Sequence, residues 1–137
     1  MTTRSPVESG SAVVDASAMI AALLDDGQAR SVVRSREVHS PHLIDAELAS
    51  ALRRLCHMSV RTEAETEAAL SNWMSLSIRR HSMRGLLARV WQLRGAVSPY
   101  DASYVALAEV LGLPLVTADA RLSRAPGIRC TVEVVPA

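Results

Sequence analysis

The stretch SPYDASYVALAEVLGLPLVTAD, residues 98–119, reads as a complete helix-then-strand unit with an acid near each end. Ser98 is a good N-cap, and Pro99 suits the first helical position, where a missing N–H costs nothing. Gly112 fits the position that closes a helix, and Pro114 keeps the helix from restarting. Leu113 to Thr117 is then an apolar run of strand length, ending at Asp119. Asp101 shares a helical stripe with Tyr104, Val105, Ala108 and Leu111, the spacing of a core-facing surface. A carboxylate there is costly to bury unless something compensates it.

Working outward, the same alternation recurs. Ala12-Val13-Val14-Asp15 is a short strand ending in an acid, and Ser17 can cap a helix through Met19, Ile20, Leu23 and Leu24 that Gly27 closes. A short helix over Ala29 to Ser35 follows, then a brief strand at Glu37-Val38-His39. Ser40-Pro41 is a second Ser-Pro pair and is expected to open a helix reaching about Met58. Ile44, Leu48, Ala51, Leu52 and Leu55 form its apolar stripe, with Glu47 on one edge and Asp45 towards the other. Thr62 caps a fourth helix with Glu63 and Glu65 in its first turn, where the dipole favours them. A strand is expected over Leu76 to Arg80, and a fifth helix from Ser82 to Gly95, with Leu86, Leu87, Val90, Trp91 and Leu93 apolar. After the central unit come a helical turn, Asp119 to Arg124, and a half-exposed strand, Cys130 to Val135. Strands alternating with helices imply a parallel sheet covered on both faces.

The 137 residues suit one domain with a real core, residues 12–137, preceded by a polar extension over residues 1–11 that reads as flexible. No apolar run is long enough to span a bilayer, and the N-terminus lacks the apolar core of a signal peptide, so a cytoplasmic location is expected. Cys56 and Cys130 show no zinc or redox spacing, and the histidines form no ligand cluster. The net charge of +1 announces no global basic field. All 15 basic residues other than histidine are Arg. The absence of Lys excludes a Walker-type phosphate loop and Lys-based covalent chemistry. With Trp73, Trp91, Tyr100 and Tyr104 the only aromatics, a base-stacking sheet of the RRM or OB kind is disfavoured.

In open α/β sheets ligands collect outside the carboxyl ends of the strands. Asp15 and Asp119 stand at or just beyond such ends, and Glu47 and Asp101 sit early in helices entered from the same edge. Each acid has a plainer use: Asp15 and Asp119 as helix caps, Asp101 in a capping box with Ser98, Glu47 as a solvated edge residue. Those uses do not explain why four acids gather at one edge. Two carboxylates about 4 Å apart repel by roughly 4 kcal/mol at an effective dielectric near 20, a strain relieved by protons or a cation. All-oxygen ligands select a hard ion, Mg²⁺ or Mn²⁺, which can activate water and stabilise the leaving oxygen of a phosphodiester.

The segments VVDASA (13–18), PHLIDAE (41–47), YDASYVALA (100–108) and LVTADARL (115–122), in this order and at these separations, resemble a PIN domain. They look most like the VapC toxins of bacterial toxin–antitoxin pairs, over roughly residues 12 to 135. The resemblance implies a three-layer α/β/α sandwich with a mostly parallel central sheet, and an Mg²⁺- or Mn²⁺-dependent endoribonuclease. Carried over by position, the acidic quartet is Asp15, Glu47, Asp101 and Asp119, with Asp15 and Asp101 the principal metal ligands. Glu47 would help bind metal or orient the attacking water, and Asp119 would complete the site. Ser17 and Thr117 match small hydroxyl positions beside the metal and would support its ligands. The resemblance also implies a homodimer, an RNA substrate such as tRNA, rRNA or mRNA, and inhibition by a VapB-type antitoxin.

Two other readings are weaker. A haloacid dehalogenase-type phosphatase wants an Asp where Ser17 stands, and a phospho-receiver domain wants the missing Lys. A catalytically silent PIN-like module that binds RNA or a protein is the main alternative, though all four acids are intact.

Overall fold

The computed structural model describes residues 10–137, so positions 1–9 of the expected extension lie outside the described residues. The chain runs β1 (Ser11–Val14), α1 (Ala16–Leu24), α2 (Gln28–Ser35), β2 (Glu37–Pro41), α3 (Ile44–His57) and α4 (Glu63–Ser75). There follow β3 (Arg79–His81), a 3-10 turn (Arg84–Leu86), α5 (Leu87–Gln92), α6 (Pro99–Leu111), β4 (Leu115–Thr117), a 3-10 turn (Ala120–Arg124) and β5 (Val132–Val134). The five strands form one sheet in the order β3-β2-β1-β4-β5, and every pairing is parallel. Helices α1 to α4 pack together as one layer, while α5 packs on α6, which lies against β1, β2 and β4. This is the expected α/β/α sandwich.

The central strands β1 and β4 are buried and read as apolar runs, as parallel strands covered on both faces do, while the edge strands β3 and β5 are partly exposed and carry charge. Ala12, Val13, Val14, Leu115 and Val116 are fully buried at the centre of the core, with Met19, Ile44, Leu48 and Val105 from the flanking helices. The sheet order reverses between β1 and β4: the chain leaves β1 towards β2 and later returns on the other side. A crevice opens outside the strand ends at such a reversal, and that is where this fold can place a site.

Several boundaries differ from the sequence reading, each for a physical reason. Ser11 is a β1 residue paired with Glu37, so the domain starts earlier than position 12. Asp15, rather than Ser17, is the N-cap of α1. Gly27 does not close α1, which ends against Asp25, but opens α2. Pro41 starts no helix. It ends β2 opposite His81, Ser40 is buried with its hydroxyl donating to Val14 O at 2.7 Å, and α3 begins at Ile44. Edge strand β3 is Arg79–His81, and the fifth helix breaks into the 3-10 turn and α5. Of the apolar residues of that segment, Trp91 and Leu87 are exposed, Trp91 carrying the Arg94 guanidinium 4.6 Å above its ring. Among the described residues no helix is long and apolar enough to cross a membrane.

Candidate active site

Asp15 leaves the C-terminal end of β1 in extended geometry and caps α1. Its Oδ1 accepts the Ala18 N–H at 3.0 Å and the Ser17 hydroxyl at 2.7 Å. Across the reversal, the Ala118 N–H donates to Ser17 Oγ at 2.9 Å, and Ser17 Oγ lies 3.3 Å from Thr117 Oγ1. Thr117 Oγ1 in turn accepts the Asp119 N–H at 3.0 Å. The two hydroxyl residues therefore tie the end of β1 to the end of β4 and hold both acids against one seam. Asp15 is 4 % exposed. Burial raises its carboxyl above the usual carboxylate range, against the pull of the Thr117, Ala18 and Ser17 hydrogen bonds, and the charge of Asp101 raises it further.

Glu47 sits in the first turn of α3, half-buried, and its Oε1 accepts the Tyr104 hydroxyl at 2.6 Å. Burial pushes this carboxyl up, the Tyr104 bond pulls it down, and Asp101 and Asp15 push it up again. It is not the solvated edge residue of the plainer reading. Tyr104 is buried on α6, and burial together with the Glu47 carboxylate keeps its hydroxyl protonated far beyond the ordinary tyrosine range.

Asp101 is the third residue of α6, which Ser98 caps and Pro99 opens as expected. Ser98 Oγ accepts the Asp101 N–H at 3.2 Å, but no reciprocal bond from the Ser98 backbone completes a capping box. Burial raises the Asp101 carboxyl, and the Asp119 charge adds to this, with Ser98 and Arg121 acting the other way.

Asp119 differs from the other three. It caps the 3-10 turn, accepting the Arg121 N–H on Oδ1 at 3.0 Å. The Arg121 guanidinium grips its carboxylate from Nε at 3.0 Å and from Nη2 at 2.8 Å, and holds it below the usual carboxylate range. The capping uses foreseen for Asp15 and Asp119 are thus both present, and neither removes the carboxylate from the seam.

The Asp101 charge acts on Asp15 and Glu47, the Asp15 charge on Glu47, and the Asp119 charge on Asp101. Two cavities meet along this seam. One of about 500 Å³ is walled by Ser17, Glu47 and Asp119 with Ile20 and Leu55; the other, about 410 Å³, by Ser98, Asp101, Asp119, Arg121 and Leu122. An all-carboxylate set of this kind fits a hard divalent cation. Among the described residues, no three such side chains close on a common point tightly enough to hold an ion as they stand. Glu47 is turned to Tyr104 and Asp119 to Arg121.

Two residues here carry more than the sequence reading gave them. Tyr104 was placed on the core stripe, yet it is the donor to Glu47. The available signal was a phenol in a chain that uses no Phe for its core. Arg121 gave no local signal, being one Arg of many.

The PIN domain profile matches residues 12–128. The chain is 50 % identical over 124 residues to the VapC ribonuclease Mb0985 of Mycobacterium bovis, covering 90 % of this chain and 98 % of that protein. It is 42 % identical over 129 residues to ribonuclease VapC1 of Mycobacterium tuberculosis, covering 90 % and 96 % of the two chains. Among solved structures it is similar to VapBC2 of Rickettsia felis bound to a promoter DNA fragment, with TM-score 0.65 and 12 % identity over 89 % of this chain and 96 % of that one.

Proposed function

The chain belongs to the PIN-domain family, among the VapC ribonucleases, and from that premise we propose that it is a divalent-metal-dependent endoribonuclease acting as the toxin of a toxin–antitoxin pair. The observation that supports this best is the seam itself. Asp15, Glu47 and Asp101, from three separate segments, gather at the one edge of the sheet where a crevice opens; burial raises all three carboxyls, the Asp101 charge adds to the rise on Asp15 and Glu47, and the Asp119 charge adds to that on Asp101. No structural economy requires that arrangement, because like charges gathered in a half-buried crevice oppose folding.

In this reading Asp15 and Asp101 hold the cation, Mg²⁺ or Mn²⁺, with Glu47 and Asp119 completing its surroundings. The chemistry such a cation would supply there is a water of lowered pKa and compensation of the charge on the leaving oxygen. The chain's own residues do the rest. Ser17 and Thr117 fix the Asp15 carboxylate and the Asp119 backbone, so the rearrangement is confined to the Glu47 and Asp119 side chains, which leave Tyr104 and Arg121. Glu47, free to pass from Tyr104 to a water, orients the nucleophile and takes up its proton. Burial raises its carboxyl above the ordinary range, the direction that makes it a better proton acceptor. Single-stranded RNA is the substrate this reading favours, because single strands are where RNA sequence is read.

Kinship with the VapC ribonucleases supports a VapB-type antitoxin as the neutralising partner, a homodimer as the working form, and the cytoplasm as the compartment. The test is cleavage of total bacterial RNA by antitoxin-free protein with Mg²⁺, Mn²⁺ or EDTA, beside Asp101→Asn. Discrete fragments that need metal and vanish in the variant support the nuclease. Folded protein that cuts nothing in either metal would favour the alternative, a silent PIN-like module that binds RNA or protein.

A further inference from the structure

Arg121 is the only basic side chain that hydrogen-bonds any of the four acids among the described residues. The pair is lopsided: the Asp119 side chain is 26 % exposed and the Arg121 side chain 85 %. Exposed ion pairs hold weakly, because water screens the attraction and pairing costs side-chain freedom. Arg121 also acts on Asp101, and it stands in the wall of the cavity that Ser98, Asp101 and Asp119 share. It therefore guards the acidic seam without locking it.

A divalent cation held by Asp15 and Asp101 would compete with this guanidinium for Asp119, and two positive groups so close would repel each other. The weak partner is the one that leaves. Once released, Arg121 remains tethered two residues from Asp119 at the mouth of the cavity, a planar fork of donors with no carboxylate left to take. The anion that reaches that mouth during the reaction is the RNA backbone, and a guanidinium matches two phosphate oxygens where an ammonium offers one point of charge.

We propose that Arg121 exchanges partners: it neutralises Asp119 in the metal-free site and grips a backbone phosphate of the RNA once the cation is seated. This builds on the ribonuclease reading and adds to it a substrate-positioning residue that weakens metal uptake as the cost of its second role. Arg121→Ala keeps the backbone N–H that closes the 3-10 turn, so the variant is expected to fold.

The experiment compares wild type, Arg121→Ala, Arg121→Lys and Asp101→Asn, each stripped of metal. Mn²⁺ uptake is followed by the paramagnetic resonance of the free ion, and cleavage of total bacterial RNA is followed at saturating Mn²⁺. Arg121→Ala should bind Mn²⁺ roughly two- to fivefold more tightly, the loss of an exposed competing ion pair. It should also cut RNA about tenfold or more slowly at unchanged positions, the loss of a charge-assisted contact. Arg121→Lys should recover part of the cleavage and not all of it. These opposite shifts separate the proposal from a structural role, which would weaken both. Mn²⁺ affinity that is unchanged or weaker in Arg121→Ala, or undiminished cleavage, overturns the inference while leaving the nuclease standing. A wild type that neither takes up Mn²⁺ nor cuts RNA overturns the nuclease and the inference with it.

Discussion

Tyr104 on α6 donates its hydroxyl to Glu47 on α3 at 2.6 Å, so a fully buried ring of the core holds an acid of the candidate site. The two helices belong to opposite layers of the sandwich, and the bond joins them across the strand ends. Tyr104→Phe should keep the packing and lose the bond. Hydrogen bonds to charged groups contribute about 1.5–3 kcal/mol when buried, and Glu47 regains some water, so a loss of about 1–2 kcal/mol and a Tm lower by on the order of 5 °C are expected. The bond also holds the Glu47 carboxyl down, so its removal should shift the acid limb of the cleavage rate to higher pH. A melting curve and a pH–rate profile check both. An unmoved profile would separate Glu47 from the proton transfer.

Metal-free protein should be less stable as the site ionises. The folded state raises the carboxyls of Asp15, Glu47 and Asp101, so their contribution is fully present below the unfolded carboxylate range, about pH 4, and is lost as pH rises through the raised values. Asp45, Glu65, Glu109 and Asp119 are held down and act with the opposite sign. The informative quantity is therefore the difference between wild type and Asp101→Asn, both in EDTA. The variant should be as stable at pH 4 and relatively more stable at neutral pH, because one repelling charge is gone. Mg²⁺ at about 100 times its Kd should stabilise the wild type by about 2.7 kcal/mol and the variant much less. A variant markedly less stable at neutral pH would mark Asp101 as a structural residue.

The unit at residues 98–119 was legible because its signals are local. Ser98, Pro99 and Gly112 act on the backbone beside them, and Gly112 takes the left-handed conformation at φ 67° expected of it. The acids were legible for a related reason: the alternation of strand and helix alone puts Asp15, Glu47, Asp101 and Asp119 at one edge. What could not be read was set by contacts distant in sequence. Pro41 looked like a helix start because the same dipeptide opens α6, yet pairing with His81 draws it into the sheet. Trp91 is apolar like its neighbours, yet it is exposed while Leu86, Val90 and Leu93 are buried. The partners of the acids, Tyr104 and Arg121, depend on which side chains meet across the seam, and periodicity carries no such information.

A second pH effect should come from the edge strand. His81 Nε2 on β3 lies 2.8 Å from His39 Nδ1 on β2, and His39 Nε2 lies 3.0 Å from Glu37 Oε1. With Glu37 accepting from His39 Nε2–H, His39 Nδ1 is left to accept from His81 Nε2–H. Burial lowers the His81 pKa, and the nearby His39, His42 and Arg79 lower it further. A histidine lowered on folding contributes stability above its unfolded value, about 6.5, and loses it as pH falls through the folded value. Urea midpoints should therefore drop on going from about pH 7.5 to 5.5 by more in wild type than in His81→Asn, which does not titrate there. Equal drops would show that the pair does not govern this edge.

Asp45 and Glu47 stand two residues apart on α3, and their environments assign them different work. The Asp45 carboxylate accepts the Trp73 indole N–H at 2.8 Å and is gripped by Arg80 from Nε at 2.7 Å and Nη2 at 2.9 Å. The Arg80 guanidinium also lies over the Trp73 ring at 5.2 Å. Asp45 thereby pins α4 to α3 and to the start of the edge strand, and the Arg80 guanidinium holds its carboxyl below the usual range. Trp73 is buried, so Asp45→Ala strands an indole N–H and should cost about 1–3 kcal/mol. At a temperature where the fold persists, cleavage by that variant should match wild type, and Trp73 fluorescence should shift. Glu47→Gln should do the reverse: it keeps an oxygen that can accept from Tyr104, holds stability near wild type and loses most of the cleavage. Urea unfolding with RNA cleavage on the two variants checks both halves. If Asp45→Ala silences the enzyme while Glu47→Gln spares it, the acid that serves the chemistry on α3 is Asp45, and the seam is drawn one face too far round the helix.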